Sequence, residues 1–138
     1  MNHCPCGHNI PYQQCCGQYI ENEIDAPTPE ALMRSRYTAY SLSKIDYVAS
    51  TMKGNAALGF DKESAKRWSQ SLTWLSLEVS SHKMKSPTVG FVIFEVKYLE
   101  NGKTRIMREK SEFHKIDEKW YYVAGKSLNP HKGTPNDR

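Results

Sequence analysis

The hydrophobic rhythm of the chain changes once. Up to about residue 71 its apolar positions recur at helical spacing, and after residue 72 they alternate. In the helical part, Leu32, Met33, Arg36, Tyr37, Ala39 and Tyr40 fall at the intervals of one helix and predict it over about Pro29–Ser43. Thr28 suits its N-cap, Pro29 its first position, and Glu30 complements its N-terminal dipole. Asp46 can cap a short second helix over roughly Tyr47–Met52. Gly54 and Gly59 surround a loop, and Asp61 can cap a third helix over about Lys62–Ser71 with Ala65 and Trp68 on one face.

In the alternating part, Leu75, Leu77 and Val79 are interleaved with Ser76, Glu78 and Ser80, which predicts a first strand. Pro87 begins a second, in which Val92, Phe94, Val96 and Tyr98 share a face. Asn-Gly in the middle of Glu100–Gly102 and its surroundings is a hairpin turn. The third strand runs over about Lys103–Lys115, with Arg108, Lys110, Glu112 and His114 on one side and Met107, Glu109, Ser111 and Phe113 on the other. Ile116 to Lys119 turn the chain into a fourth strand, WYYVAG. Helices followed by an antiparallel four-stranded meander make an α+β fold. The expected organisation is a cysteine unit over 1–20, a linker over 21–28, the α+β domain over 29–126, and a flexible tail over 127–138.

Composition limits the class. The 138 residues fit one ordinary domain, or a domain with a short appendage. With 38% hydrophobic residues and 11% aromatics the chain folds rather than staying disordered. No run of about 18 apolar residues exists, so no helix is expected to span a membrane. The start, MNHCPCGHNIPYQQCC, is neither basic nor apolar as a secretory signal would be, and the expected location is cytoplasmic. The net charge of +4 is uneven: residues 1–100 hold ten basic and ten acidic residues, and the last 38 hold nine and five.

All four cysteines, Cys4, Cys6, Cys15 and Cys16, lie in the first sixteen residues. A disulfide framework would scatter them to staple distant segments. Four clustered thiolates can instead surround a tetrahedral Zn²⁺. Adjacent cysteines such as Cys15 and Cys16 pair with each other only under strain, and a reducing compartment keeps thiols free. Two local disulfides, or four free thiols, are the alternatives. His3 and His8 are possible substitute ligands. Four protein ligands close the site, leaving no position for an activated water, so the zinc would be structural.

Residues 4–17, CPCGHNIPYQQCCG, resemble the SEC-C zinc-binding motif known from the C-terminal tail of the SecA translocation ATPase. The whole chain resembles the YchJ family of bacterial proteins, through CPCG…YQQCCGQYI, ALMRSRYTAY, REKSEFHK and KWYYVAG. The resemblance implies that the residues after about 28 form a nuclear transport factor 2-like cone, three helices packed in the mouth of a curved antiparallel sheet. The SEC-C motif often carries lysines between its cysteine pairs. Here His8 to Gln14 has none, which weakens any carry-over of ribosome, lipid or nucleic-acid binding. Some relatives have a second SEC-C motif at the C-terminus, and this chain has no cysteine there.

Other candidates have two readings each. Arg34 and Arg36 with Tyr37 and Tyr40 could form a cationic, aromatic-lined pocket for an anionic ligand, or the arginines could tie the helix to the sheet or the zinc unit through backbone carbonyls. Glu109 shares a face with Ser111 and, if that face lines the cone, is a buried carboxyl able to serve as a general base. Its architectural alternative is a pair with Arg34 or Arg36. Trp68, Trp74, Trp120, Tyr121 and Tyr122 are expected in the core rather than around a ligand, and His82, His114 and His131 belong to no triad. Lys103, Arg105, Arg108, Lys110, Lys115 and Lys119 could make a nucleic-acid-binding sheet face, or an ordinary solvated edge, which is favoured.

Three functions follow. The favoured one is a binding or interaction module, not an enzyme, with a closed zinc site and a cone holding a small-molecule ligand or a protein partner. The second is a small-molecule isomerase, dehydratase or hydrolase using Glu109. The third, nonspecific nucleic-acid binding, is disfavoured.

Overall fold

The structure is a computed structural model and describes residues 3–129. Four α-helices precede four strands: α1 Gly17–Ile20, α2 Pro29–Ser41, α3 Ile45–Ser50, α4 Lys62–Gln70, then β1 Thr73–Ser86, β2 Val89–Glu100, β3 Lys103–Ile116 and β4 Lys119–Ser127. Short 3-10 turns occupy Tyr12–Gln14 and Gly54–Ala57. The sheet is one antiparallel meander in the order β1-β2-β3-β4. This is the expected α+β architecture.

Local chemistry explains most boundaries. The Thr28 hydroxyl accepts from Ala31 N at 3.1 Å and Pro29 opens α2. Asp61 accepts from Ser64 N at 3.2 Å and starts α4. Asp46 does not cap α3, which begins at Ile45 after an uncapped Lys44; Asp46 sits in its first turn. The shift buries Ile45 and Val48 under α2, and that burial outweighs the cap. Asn101 and Gly102, with φ of 53° and 78°, close the β2–β3 hairpin, and Asp117 and Glu118, at 51° and 69°, close β3–β4.

The sheet curves around α2. Its inner face carries Val92, Phe94 and Val96 of β2 opposite Ser111, Glu109 and Met107 of β3. Bulges interrupt β1 after Trp74, Val79 and Met84 and the β3–β4 pairing after Glu112, and bulges of this kind bend a strand and increase its twist. The first of them corrects the simple alternation expected for β1. Leu75 falls in the bulge and is 48% exposed, while Trp74 turns toward the concave side. β4 also runs on past the expected end of the domain, to Ser127, and Leu128 N donates to Arg108 O at 2.8 Å. The remainder of the expected tail, 130–138, and His131 with it, lies outside the described residues.

The cysteine unit belongs to the same core as the sheet. Cys4, Cys6, Cys15 and Cys16 are buried in one cluster with Leu32, Met33, Tyr37, Leu77, Val92 and Phe94. Among the described residues, no helix is long and apolar enough to cross a membrane.

Candidate functional site

Two sites lie on opposite sides of α2. The first is the cysteine cluster. Cys4 and Cys6 flank Pro5 in a tight turn held by Cys4 N donating to Ile10 O and Gly7 N to Cys4 O. Gly7 has φ of 102°, which an L side chain rarely adopts, so the turn needs glycine there. Cys15 and Cys16 arrive at the end of the 3-10 turn and the start of α1. The four sulfurs lie within 4.8 Å of one another, and all four cysteines are free.

Cys6 Sγ and Cys15 Sγ are 3.7 Å apart. A tetrahedron with metal–sulfur bonds of about 2.3 Å has an edge of about 3.8 Å, so the spacing suits a tetrahedral thiolate-bound cation. A disulfide, at about 2.05 Å, does not fit it. Electrostatics point the same way. Hydrogen bonds from Cys16 and Cys6 lower Cys4, but burial pushes Cys15 up to about 12 and hydrogen bonding to Cys4 raises Cys16. Four thiolates cannot share this buried volume without a cation to neutralise them. The four cysteines could therefore hold a metal ion.

Surrounding groups orient the cluster. The Thr38 hydroxyl of α2 donates to Cys16 Sγ at 3.3 Å, and His8 Nδ1 lies 3.4 Å from Cys15 Sγ. Such outer contacts orient ligands. His3 is exposed, forms a β-bridge with Pro11 and is not part of the four-cysteine cluster. Arg34 belongs here too: its Nη1 donates to Cys6 O at 2.9 Å and its Nε to Glu30 at 2.9 Å. Of the two roles expected for Arg34, the tie to the cysteine unit through a backbone carbonyl is the one that forms, and its place among the pocket candidates is corrected. Arg34 projects from the face of α2 that meets the cysteine unit, and it lines no part of the cavity described next.

That cavity has a volume of about 620 Å³ and lies between α2 and the concave face of the sheet. Arg36, Tyr37, Tyr40, Glu109 and Ser111 all line it. So do Met33, Met52, Trp68, Trp74, Phe94 and Tyr122. Glu109 Oε2 accepts from Ser111 Oγ at 2.7 Å and from Tyr122 OH at 3.1 Å. Burial nevertheless raises the carboxyl above its ordinary value, with the two hydrogen bonds and Arg36 opposing. Arg36 is 6% exposed. Its Nη1 donates to Val48 O and Thr51 Oγ1, both at 2.8 Å, and its guanidinium lies 4.4 Å from the centre of the Tyr122 ring. Glu109 makes no ion pair with either arginine among the described residues, so the paired arrangement expected as its architectural role does not form.

Aromatic rings frame the opening. Trp68, 40% exposed, meets Tyr40 and Trp74 edge-on, with ring centres 5.9 and 5.5 Å away. Trp74 and Tyr122 pack against the core as expected and also line the cavity, Trp68 departs from the expectation by standing partly exposed at its opening, and Trp120 is buried in the core away from the cavity. Sequence periodicity missed Trp74 because a bulge places it. Gly125 carried a usable signal, since a glycine inside a strand marks a close approach. A Cβ on Gly125 would collide with the Glu109 carboxylate and the Tyr122 hydroxyl.

The outer sheet face is not a uniform basic surface. Arg108 pairs with Glu95 at 3.6 Å, Arg105 with Glu100 at 3.3 Å, and His114 lies 2.6 Å from Glu112.

Comparison with known proteins agrees with both halves of this structure. Residues 28–125 match the model of the YchJ middle NTF2-like domain. The chain is 35% identical to a UPF0225 protein of Geobacter sulfurreducens over 131 residues, 94% of this chain and 81% of that protein. It is 38% identical to the UPF0225 protein YchJ of Shigella dysenteriae over 126 residues, 88% and 81% of the two chains. Among solved structures, a SEC-C motif containing protein from Rhodopseudomonas palustris superimposes with a TM-score of 0.84 at 32% identity, over 94% of this chain and all of that one. An NTF2-like protein from Shewanella oneidensis, at 16% identity and a TM-score of 0.52 over 70% and 92% of the two chains, shares the fold alone. By its sequence from the cysteine unit to the last strand, and by the fold those residues adopt, this chain belongs to the YchJ family.

Proposed function

We propose that the protein is a small-molecule-binding module whose N-terminal cysteine unit is a structural zinc site. Cys4, Cys6, Cys15 and Cys16 would hold the ion, and the ion would neutralise thiolates buried in the core and fix the unit on α2. With four sulfur ligands it offers no open position, so any ligand chemistry belongs to the cavity.

The observation that supports the binding reading is the cavity itself. A filled cone would leave nothing to bind. A space of about 620 Å³ falls within the range of about 300–1,000 Å³ usual for small-molecule sites, and it has their mixture of apolar walls and a few converging polar groups. A thermal-shift screen of small molecules tests it, comparing the native chain with a cavity-filled Ala124→Phe variant. Compounds that raise the melting temperature of the native chain alone support the reading. A library that stabilises both proteins equally, or neither, would count against it.

A second reading, catalysis with Glu109 as general base or acid, draws support from one observation. This carboxyl is held above its ordinary value inside a cavity that a substrate could enter. Glu109→Gln should then abolish turnover of any substrate found while leaving the fold intact.

A further inference from the structure

The cavity contains two polar groups whose hydrogen-bonding capacity is only partly used. Arg36 is more than nine-tenths buried and carries five N–H donors. Two hydrogen bonds, both from Nη1, fasten it to Val48 O and Thr51 Oγ1. Among the described residues, Nε and Nη2 have no hydrogen-bond partner, and no carboxylate oxygen lies within the 4.0 Å of an ion pair. A buried guanidinium cannot shed its charge, and leaving it without an anion is costly. One face of the guanidinium lies over the Tyr122 ring.

Glu109 is used on one oxygen only. Oε2 accepts two hydroxyl hydrogen bonds, from Ser111 and Tyr122, and Oε1 has no partner among the described residues. When the carboxyl is neutral, its proton therefore falls to Oε1, because Oε2 is already occupied by two donors. The group, which lines the cavity, then carries an O–H near the Arg36 cation. The ionisable groups around Glu109 are Arg36 and Tyr40 from α2 and Tyr122 from β4. Arg36 is the one fixed charge among them.

We propose that the cavity takes a hydrophobic monocarboxylate, its carboxylate held by the free edge of the Arg36 guanidinium and by the Oε1 hydroxyl of neutral Glu109. The proposal rests on the small-molecule-binding reading above and names the ligand class. Charge selects the sign, because Arg36 is the one fixed charge among the lining residues. The walls select the rest of the molecule. Met33, Trp68, Trp74 and Phe94 present apolar and aromatic surface and no further charge, which suits one acidic group on an aromatic or aliphatic body rather than a phosphate or a dicarboxylate. Binding in this form takes up one proton wherever unliganded Glu109 is ionised. Affinity then falls about tenfold per pH unit across that range.

The test uses the full chain and three matched probes: naphthylacetate, naphthylacetamide and naphthylethylamine. Binding is followed by calorimetry and by tryptophan fluorescence from about pH 5.5 to about pH 8.5. The expected result is that the acid binds at least about tenfold more tightly than the amide at the acid end, with the amine weakest, and that its affinity falls as pH rises. Glu109→Gln keeps an N–H donor for the ligand and cannot ionise, so it should bind naphthylacetate with the pH dependence removed. This variant serves in place of Arg36 variants, which also lose the Val48 and Thr51 bonds and can fail to fold. Equal binding of acid and amide, preference for the amine, or an unchanged pH profile in Glu109→Gln would overturn the carboxylate proposal while leaving the binding-module reading in place. Failure of all three probes to bind overturns the proposal, and a thermal-shift screen without hits would then remove the binding reading as well.

Discussion

Arg34 Nη1 donates to the backbone carbonyl of Cys6 at 2.9 Å, tying α2 to the turn between the first two cysteines. The same guanidinium binds Glu30 one turn earlier, and Glu30 also lies 3.4 Å from His82 of β1. One arginine thus couples the cysteine unit, the central helix and the edge strand. Two residues further on, Arg36 leaves α2 toward the cavity.

Removal of Arg34 should loosen the cysteine unit without emptying the cavity. Arg34→Ala is expected to lose about 1–3 kcal/mol of stability, as for a hydrogen bond from a charged donor to a buried acceptor. Chemical denaturation measures this, and ligand affinity of the folded variant should stay within about twofold of the native value. A large loss of affinity at full stability would show that Arg34 acts in the cavity.

Metal content gives a second test. Purified protein should carry about one zinc per chain, and strong chelators should lower its melting temperature. The destabilisation should reach the sheet, because the cysteines share a core with Leu32, Leu77 and Val92. Circular dichroism would detect it. A chain that loses its metal and melts unchanged would contradict a structural role.

Gly125 permits the closeness of Glu109 and Tyr122. Gly125→Ala puts a methyl group where the carboxylate and the hydroxyl lie, and overpacking of this sort costs about 1–3 kcal/mol. The variant should be less stable, and the Glu109 side chain should be displaced. An unaltered melting temperature would refute the close packing at this position.

Glu109 makes stability depend on pH in a defined direction. Burial raises its folded value above the unfolded one, so between those two values the folded chain holds the proton more tightly. Stability from this group is complete below the ordinary carboxylate value and declines as pH rises through the raised folded value. Glu109→Gln should flatten that part of the pH–stability curve and be more stable than the native chain above it. Matched denaturation curves across pH would reveal a native chain no more pH-sensitive than the variant if the burial effect were absent.

Much of the fold was legible because its determinants are local. Thr28 and Asp61 announce two helix starts through their side-chain caps, and Asn101-Gly102 announces a hairpin through its positive φ values. The alternation of Met107, Glu109, Ser111 and Phe113 placed all four on the inner face, since β3 is regular over that stretch. Asp46 misled because its cap competed with burial of Ile45. Trp74 and Leu75 misled because a bulge exchanged their faces.

The amino-acid sequence by itself determined the cysteine cluster, the order of α2 to α4 and the four strands, and the inward carboxyl of Glu109. Each follows from neighbours a few residues apart, through ligand spacing, capping or the period of a strand. Only the tertiary structure decided that Arg34 serves the cysteine unit and Arg36 the cavity, although they stand two positions apart on one helix. Only it decided that Trp68, Trp74 and Tyr122, from three different elements, face a cavity and not a filled core. The reason is that direction on a helix and curvature in a sheet acquire meaning when the opposing surface is in place. A periodic pattern says which side is buried, and the packing of distant segments says what that side meets.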